Sequence, residues 1–422
     1  MRDVDVENLS SNHIIHTMEQ LLTVIIQTSP LPSHPSTALL EALFRSFDRV
    51  DGLKEANIII LADGCDDECG EERRTNNRCD DQIIATKKAN LKHGAAPLDT
   101  REKYKQHLHL LREKVNSKQE PFVPSKNGAI QLLELHHRHG SARAIAAAFN
   151  ILSISSPYVM IGQHDNFFVR DVSYLRQLLQ YMEKPETNSW LQCVHFPSTA
   201  TLNYVQKVKR RYDLDISRLC VDCDDVQKSK LVPLVFWYGR TMLARASYYK
   251  QILNRFPNLK VSDHLEELLG TQQLNELNKI KRRNDDDFDD EFRRVHARYG
   301  NYVFFDSNDS QTQTEVLYHI SGRKVRAANT ASSTETDLQQ SDQANNNDAV
   351  MFNPQVNSFT TARRSVAKVP GLEFITSEKG DRTMQKKFKQ NCFHCGKKGH
   401  SFKFCPSLKE ENSMPSIDVL QI

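Results

Sequence analysis

The chain has 422 residues, with 56 Lys and Arg against 53 Asp and Glu and a formal net charge of +3. At roughly 100–200 residues per domain that is chain for about two or three folded units, and a charge this close to balance excludes a chain that is basic or acidic throughout. No stretch approaches the ~18 apolar residues of a membrane span, and the start MRDVDVENLSSNHIIH lacks the basic, apolar and small-residue regions of a secretory signal. Nine cysteines, an odd number, point away from a disulfide scaffold and toward thiols or metal in the cytoplasm or nucleus.

Five stretches differ in character: 1–19 reads as a flexible N-terminus, 20–325 as a folded α/β domain, 326–378 as a linker, 379–409 as a short basic cysteine-bearing module, and 410–422 as a flexible tail. Along the domain, residues 21–27 (LLTVIIQ) form a β-rich apolar run ended by the turn-prone TSPLPSHPS. Residues 37–50 space Leu39, Leu40, Leu43, Phe44 and Phe47 on one helical face. Residues 57–62 (NIIILA) predict a second buried strand, 127–139 and 141–150 predict helices, and 158–162 (YVMIG) predict a third strand. A helix is predicted over 245–256, and 302–305 with 315–320 read as a β-hairpin.

Ile- and Val-rich strands alternating with helices imply a mostly parallel sheet covered by helices on both faces. Ligands of such sheets sit at the carboxyl ends of the strands. Here those ends carry Thr28, Asp63 and the pair His164-Asp165. Residues 325–350 hold no aromatic and few apolar side chains, too little to offset chain entropy, so they read as disordered.

The sharpest pattern is Cys392-x2-Cys395-x4-His400-x4-Cys405. Three thiolates and one imidazole complete a tetrahedral Zn2+ with no open position, which makes the site structural. So small a segment has almost no core, and metal binding is its main folding energy. It resembles the CCHC zinc knuckle of retroviral nucleocapsid and cellular RNA-binding proteins. That resemblance implies single-stranded RNA or DNA as partner, with Phe393 and Phe402 or Phe404 stacking on bases and Lys397 and Lys398 near phosphate. Nine Lys and Arg against Asp381 over 379–409 suit phosphate.

The order VIIQTSPLPSHPSTALLEALFRSF, IIILADG, SPYVMIGQHDNFF resembles the GT-A (Rossmann-like) fold of nucleotide-sugar glycosyltransferases. That resemblance implies a sugar transfer from a nucleotide-sugar donor to an acceptor, assisted by Mn2+ or Mg2+. Gln163-His164-Asp165 stands where the family has Asp-x-Asp, so Asp165 with His164 would be metal ligands, and only one carboxylate remains. Thr28 and Asp63 would face the nucleotide. Lys126, at the head of the helix predicted over 127–139, and Arg323 would meet its phosphates, and His319 would add a metal ligand. Asp263 is the candidate base for the acceptor hydroxyl, with Glu266 as the alternative.

Other clusters carry less. Cys220-x2-Cys223 has redox spacing without the surrounding βαβ pattern, and Cys65, Cys69 and Cys79 lie in a charged stretch with no partner ligand in view. Residues 285–291 (DDDFDDE) read as a solvated loop whose charges pair with flanking arginines. Two other readings remain: the α/β body as an inactive scaffold beside a nucleic-acid-binding knuckle, and a retroelement Gag-like protein. The strand runs oppose the latter, since capsid regions of that kind are all-helical.

Overall fold

Apolar runs too short for helices and rich in β-branched residues become the interior strands of one sheet. The computed structural model describes residues 16–31, 33–65, 98–223, 226, 229–281, 287–306 and 314–320, with the backbone of 325–327, 349–350 and 372–375. All of these belong to one of two compact units; the other, Gln343–Asn347 with Thr376–Ile422, lies outside the described residues.

The strands in chain order are β1 (Leu22–Thr28), β2 (Asn57–Ala62), β3 (Ile130–Glu134), β4 (Tyr158–Gln163), β5 (Asn166–Phe168), β6 (Cys193–His195), β7 (Val221–Cys223), β8 (Ser229–Pro233), β9 (Met242–Arg245), β10 (Asn301–Phe305) and β11 (Leu317–His319). Nine of them form a sheet in the order β3-β2-β1-β4-β9-β6-β10-β8-β7. β3, β2, β1 and β4 are mutually parallel, and across the whole sheet β9 and β8 alone run against the rest. The sheet is thus mixed but mostly parallel, as expected.

The helices are α1 (Met18–Leu21), α2 (Ala38–Ser46), α3 (Leu98–Asn116), α4 (Ser141–Ile151), α5 (Leu175–Glu183), α6 (Tyr204–Tyr212), α7 (Ala246–Asn254), α8 (Leu265–Lys281) and α9 (Phe288–His296). β1 shows how they cover both faces, because successive side chains of a strand point to opposite sides. Val24 and Ile26 join one core with Leu43 and Phe44 of α2, Leu111 of α3 and Leu178 of α5. Ile25 joins the other core with Ile145 of α4, Ile252 of α7 and Leu269 of α8. A third cluster packs α6, α8 and α9 on β8 and β10 through Val208, Leu277, Phe292, Val232 and Val303.

Three expectations are corrected. Residues 127–139 are not a helix: Ile130–Glu134 is β3, parallel to β2. Ile130 and Leu132 pack against one core and Leu133 and Leu135 belong to the other, so a period of two, completed by pairing with β2, overrides the helical preference of Leu, Gln and Glu. Residues 302–305 and 315–320 are not a hairpin. Both edges of β10 are filled, by β6 and β8, and β11 pairs antiparallel with β5 instead. Residues 288–291 are the first turn of α9 rather than a loop, with Asp289, Asp290 and Glu291 at the helix N-terminus, where the macrodipole favours them. The expected pairing with arginines is there: Arg293 reaches Asp290 at 3.1 Å and Arg294 reaches Glu291 at 2.6 Å.

Within the stretch read as linker, Val325–Ala327, Ala349–Val350 and Leu372–Ile375 pair as a three-stranded sheet. Cys392, Cys395, His400, Cys405, Phe393, Phe402, Phe404, Lys397, Lys398 and Arg323 all lie outside the described residues. Among the described residues, no helix is long and apolar enough to cross a membrane.

Candidate functional site

The parallel run β3-β2-β1-β4 places the polar ends of β1, β2 and β4 side by side, in register. Thr28 closes β1; it is buried, and its carbonyl accepts the Asp63 N–H at 3.0 Å. Asp63 follows β2 and is 2% exposed. Its two carboxylate oxygens accept the backbone N–H groups of His139 at 2.7 Å and Gly140 at 2.9 Å. Burial raises the Asp63 pKa, more than these bonds and the neighbouring Arg138 and His139 lower it. In this structure Asp63 therefore orients the loop that enters α4. Gly140 has to be glycine there: its φ is +73°, and a Cβ would lie 2.0 Å from the Val261 carbonyl oxygen.

Beyond β4, the turn into β5 carries His164 and Asp165. β11 lies against β5 with His319 opposite Asn166, and the Ile320 N–H donates to the Asp165 carbonyl at 2.8 Å. This pairing brings His319 Nε2 to 3.2 Å from Asp165 Oδ2, with side-chain exposures of 45% and 15%. Burial alone would raise the Asp165 pKa, but the hydrogen bond from His319 and the charges of His164 and His319 outweigh it and hold the carboxyl below its ordinary range. His164 Nδ1 is 3.1 Å from the Gln27 carbonyl, which can only accept, so Nδ1 carries the proton. Its ring shares a neighbourhood with His34 and His107, and burial lowers its pKa.

Among the described residues, no three His, Cys, Asp or Glu side chains gather around a common point fit for a cation. Asp165 and His319 supply two donors, one carboxylate and one imidazole. That suits Mg2+ or Mn2+ only as a partial set, completed by phosphate oxygens and water, as is usual for Mg2+ on nucleotides.

A hydrogen-bonded chain leads from this pair to the candidate bases. Asn166 donates to Asp165 Oδ1 at 3.3 Å and to Gln163 Oε1 at 3.2 Å. Gln163 Nε2 donates to the Gly239 carbonyl at 3.2 Å, and the Gly239 N–H donates to Glu266 Oε2 at 3.2 Å. Gln27 and Ser141 exchange hydrogen bonds across the same region, Ser141 Oγ donating at 2.7 Å. Gln27, Ser141, Gln163, Gly239 and Glu266 line a cavity of about 50 Å³ with Trp237, Met242 and His264. That holds a few waters and is far below the ~300–1,000 Å³ of a ligand pocket. A larger groove of about 510 Å³ runs between α4 and α7, lined by His139, Arg143 and Lys250 but by no Asp or Glu.

The structure separates the sequence candidates. Glu266 lines the cavity from the first turn of α8, whereas Asp263 sits in the preceding turn, accepting the Lys260 N–H at 2.8 Å, and does not line it. Lys126 heads no helix; it lies in the loop entering β3, at the amino ends of the strands and the opposite end of the sheet from Asp63 and Asp165. Gln27, Ser141, Asn166 and Gly239 were not singled out from sequence. Only Gln27 carried a signal, as a polar residue at the end of a wholly apolar run. Cys220 precedes β7 and Cys223 is its last residue, and burial pushes both thiols up, Cys223 to about 11, which keeps the thiolate fraction low.

No protein-family model and no curated protein sequence matches the chain. Among solved structures, it is similar to the WbbM bifunctional glycosyltransferase in its apo form, at 11% identity and a TM-score of 0.27, over 61% of this chain and 37% of that one. It is also similar to 4-diphosphocytidyl-2C-methyl-D-erythritol synthase from Anaerococcus prevotii, at 13% identity and a TM-score of 0.26, over 61% of this chain and 84% of that one. The chain thus spans just over a third of the first of these proteins. Similarity at this level assigns no activity.

Proposed function

We propose that the α/β domain binds a nucleotide sugar at the carboxyl ends of β1, β2 and β4 and transfers the sugar to an acceptor. One observation carries this reading: β11 delivers His319 to Asp165 at 3.2 Å, on a hydrogen-bonded path to Glu266 in the neighbouring cavity. Asp165 and His319 would hold Mg2+ or Mn2+ on the donor diphosphate, and the cation would supply charge neutralisation for the leaving group. Glu266, its Oε2 held by the Gly239 N–H, would take the proton of the attacking hydroxyl.

Residues 379–409 would bind structural Zn2+ through Cys392, Cys395, His400 and Cys405, and single-stranded RNA or DNA through their aromatic and basic residues. The ligand spacing and local charge support this, and a reduced-thiol zinc site suits cytoplasm or nucleus.

The test is a thermal-shift screen of the full chain against nucleoside diphosphates and nucleotide sugars, with and without Mn2+. A ligand at 100 times its Kd stabilises the fold by about 2.7 kcal/mol. A Mn2+-dependent shift with one nucleotide supports the transferase, and no shift with any removes it. The second reading, a non-enzymatic scaffold, is favoured by the single carboxylate at the cation pair and by the small cavity; it predicts the latter result.

A further inference from the structure

The rim of the candidate site gathers positive charge that makes no salt bridge among the described residues. Lys207 and Arg210 are one turn apart on α6, and Arg240 directly follows Gly239, the residue bonded to both Gln163 and Glu266. Two contacts hold helix and loop together here: the Tyr204 and Tyr238 rings lie 6.2 Å apart, and the Tyr204 hydroxyl accepts the Val235 N–H at 3.2 Å. Lys207 is anchored on the Thr199 and Ala200 carbonyls at 2.8 and 3.3 Å. That same loop touches β11, since the Leu317 N–H donates to the Pro197 carbonyl at 2.9 Å. The cluster is therefore tied on one side to the strand carrying His319 and on the other to the loop holding Glu266.

Within it, like charges face one another. Burial, then Arg210 and Arg240, lower the Lys207 pKa. Burial, then Arg240, push His195 down to about 3, so its imidazole is neutral. Neither Arg210 nor Arg240 makes an ion pair among the described residues, and Glu315, the carboxylate bonded to this loop, is taken by the Thr199 hydroxyl. Cations brought together without a salt bridge are an arrangement that an anion completes. Guanidinium groups match the oxygens of phosphate in particular.

We propose that Lys207, Arg210 and Arg240 form a phosphate-ester subsite on the rim of the candidate site. Under the transferase reading, on which the identity of the ligand rests, that ester is either the donor's diphosphate or a phosphate carried by the acceptor.

Calorimetric titration of the full chain with phenyl phosphate and with the nucleoside diphosphates tests this, using Arg240→Gln, the exposed Arg210→Gln and their double variant. Arg218→Gln serves as a distant-charge control, and unchanged melting temperatures establish folding. The expected result is a tenfold or greater loss of affinity in the double variant and none in the control. Loss for nucleoside diphosphate identifies the donor as the source; loss for phenyl phosphate with nucleotide binding intact identifies the acceptor. If wild type binds neither ligand, or the double variant changes neither affinity by more than twofold, the subsite is overturned. Asp165→Asn separates the two ideas. Nucleotide binding that depends on Asp165 but not on Arg240 or Arg210, with phenyl phosphate binding also unchanged, leaves the transferase without this subsite. Phenyl phosphate binding that depends on Arg240, in a chain that binds no nucleotide, leaves the subsite without the transferase.

Discussion

His319 Nε2 lies 3.2 Å from Asp165 Oδ2, although the two residues are 154 positions apart in the sequence. Antiparallel pairing of β11 with β5 accounts for the meeting. If this pair holds the cation, Asp165→Asn should abolish Mn2+-dependent stabilisation by nucleotide. His319→Ala should weaken metal binding by about tenfold or more, since one of two protein donors is gone. Mn2+ titration followed by electron paramagnetic resonance checks both; unchanged Mn2+ affinity in either variant would remove that residue from the site.

Glu266 and Asp263 are told apart by their surroundings. Glu266→Gln keeps an acceptor for the Gly239 N–H but loses the base, so nucleotide binding should persist while sugar transfer falls by about 10²–10⁴-fold. Asp263→Ala should leave turnover near wild type and cost only the turn bond to Lys260. The reverse pattern in single-turnover assays would restore Asp263 as the base.

Buried neutral histidines make the fold acid-sensitive. Burial first, then the charge of neighbouring histidines, lowers His34 to about 2; burial lowers His107 to about 4 against the two backbone hydrogen bonds that raise it. Because each folded pKa lies below the unfolded value of 6.5, the unfolded chain binds more protons as pH falls. Stability is then complete above about pH 6.5 and declines below it, by up to about 3 kcal/mol for His107 by pH 4. Urea midpoints between pH 8 and pH 5 should fall, and His107→Gln should flatten the slope. Parallel slopes for the two proteins would show that His107 does not titrate on unfolding.

Asp63→Ala leaves two loop N–H groups without their acceptor. The expected destabilisation is about 3 kcal/mol by chemical denaturation, with Asp63→Asn less affected because one oxygen remains. A loss below about 0.5 kcal/mol would mean that water replaces the carboxylate without cost.

Cys395→Ser should release one Zn2+ per chain and abolish binding to single-stranded RNA, while the melting of the α/β domain stays unchanged. Stoichiometric zinc by elemental analysis in this variant would sink the knuckle.

How much was legible in the sequence differs from element to element. β2 and β4 stand out as apolar runs whose polar ends carry Asp63 and His164-Asp165, because a strand buried on both faces leaves no polar position until it ends. β3 was hidden because Leu, Gln and Glu favour a helix locally, and only β2 supplies the partner that makes it a strand. The hairpin was misread because nothing within residues 302–320 shows that β6 and β8 already occupy both edges of β10.

Periodicity and composition, which are local quantities, thus determined the α/β class, the positions of the central strands and the carboxylates at their ends. Tertiary structure alone decided that His319 meets Asp165, that Glu266 rather than Asp263 lines the cavity, and that Lys126 lies at the opposite end of the sheet from Asp63 and Asp165. Each depends on strand pairing or helix packing between segments distant in the chain. Those contacts are set by which edges and faces remain unfilled once the rest of the core has formed, and no short window of sequence carries that information.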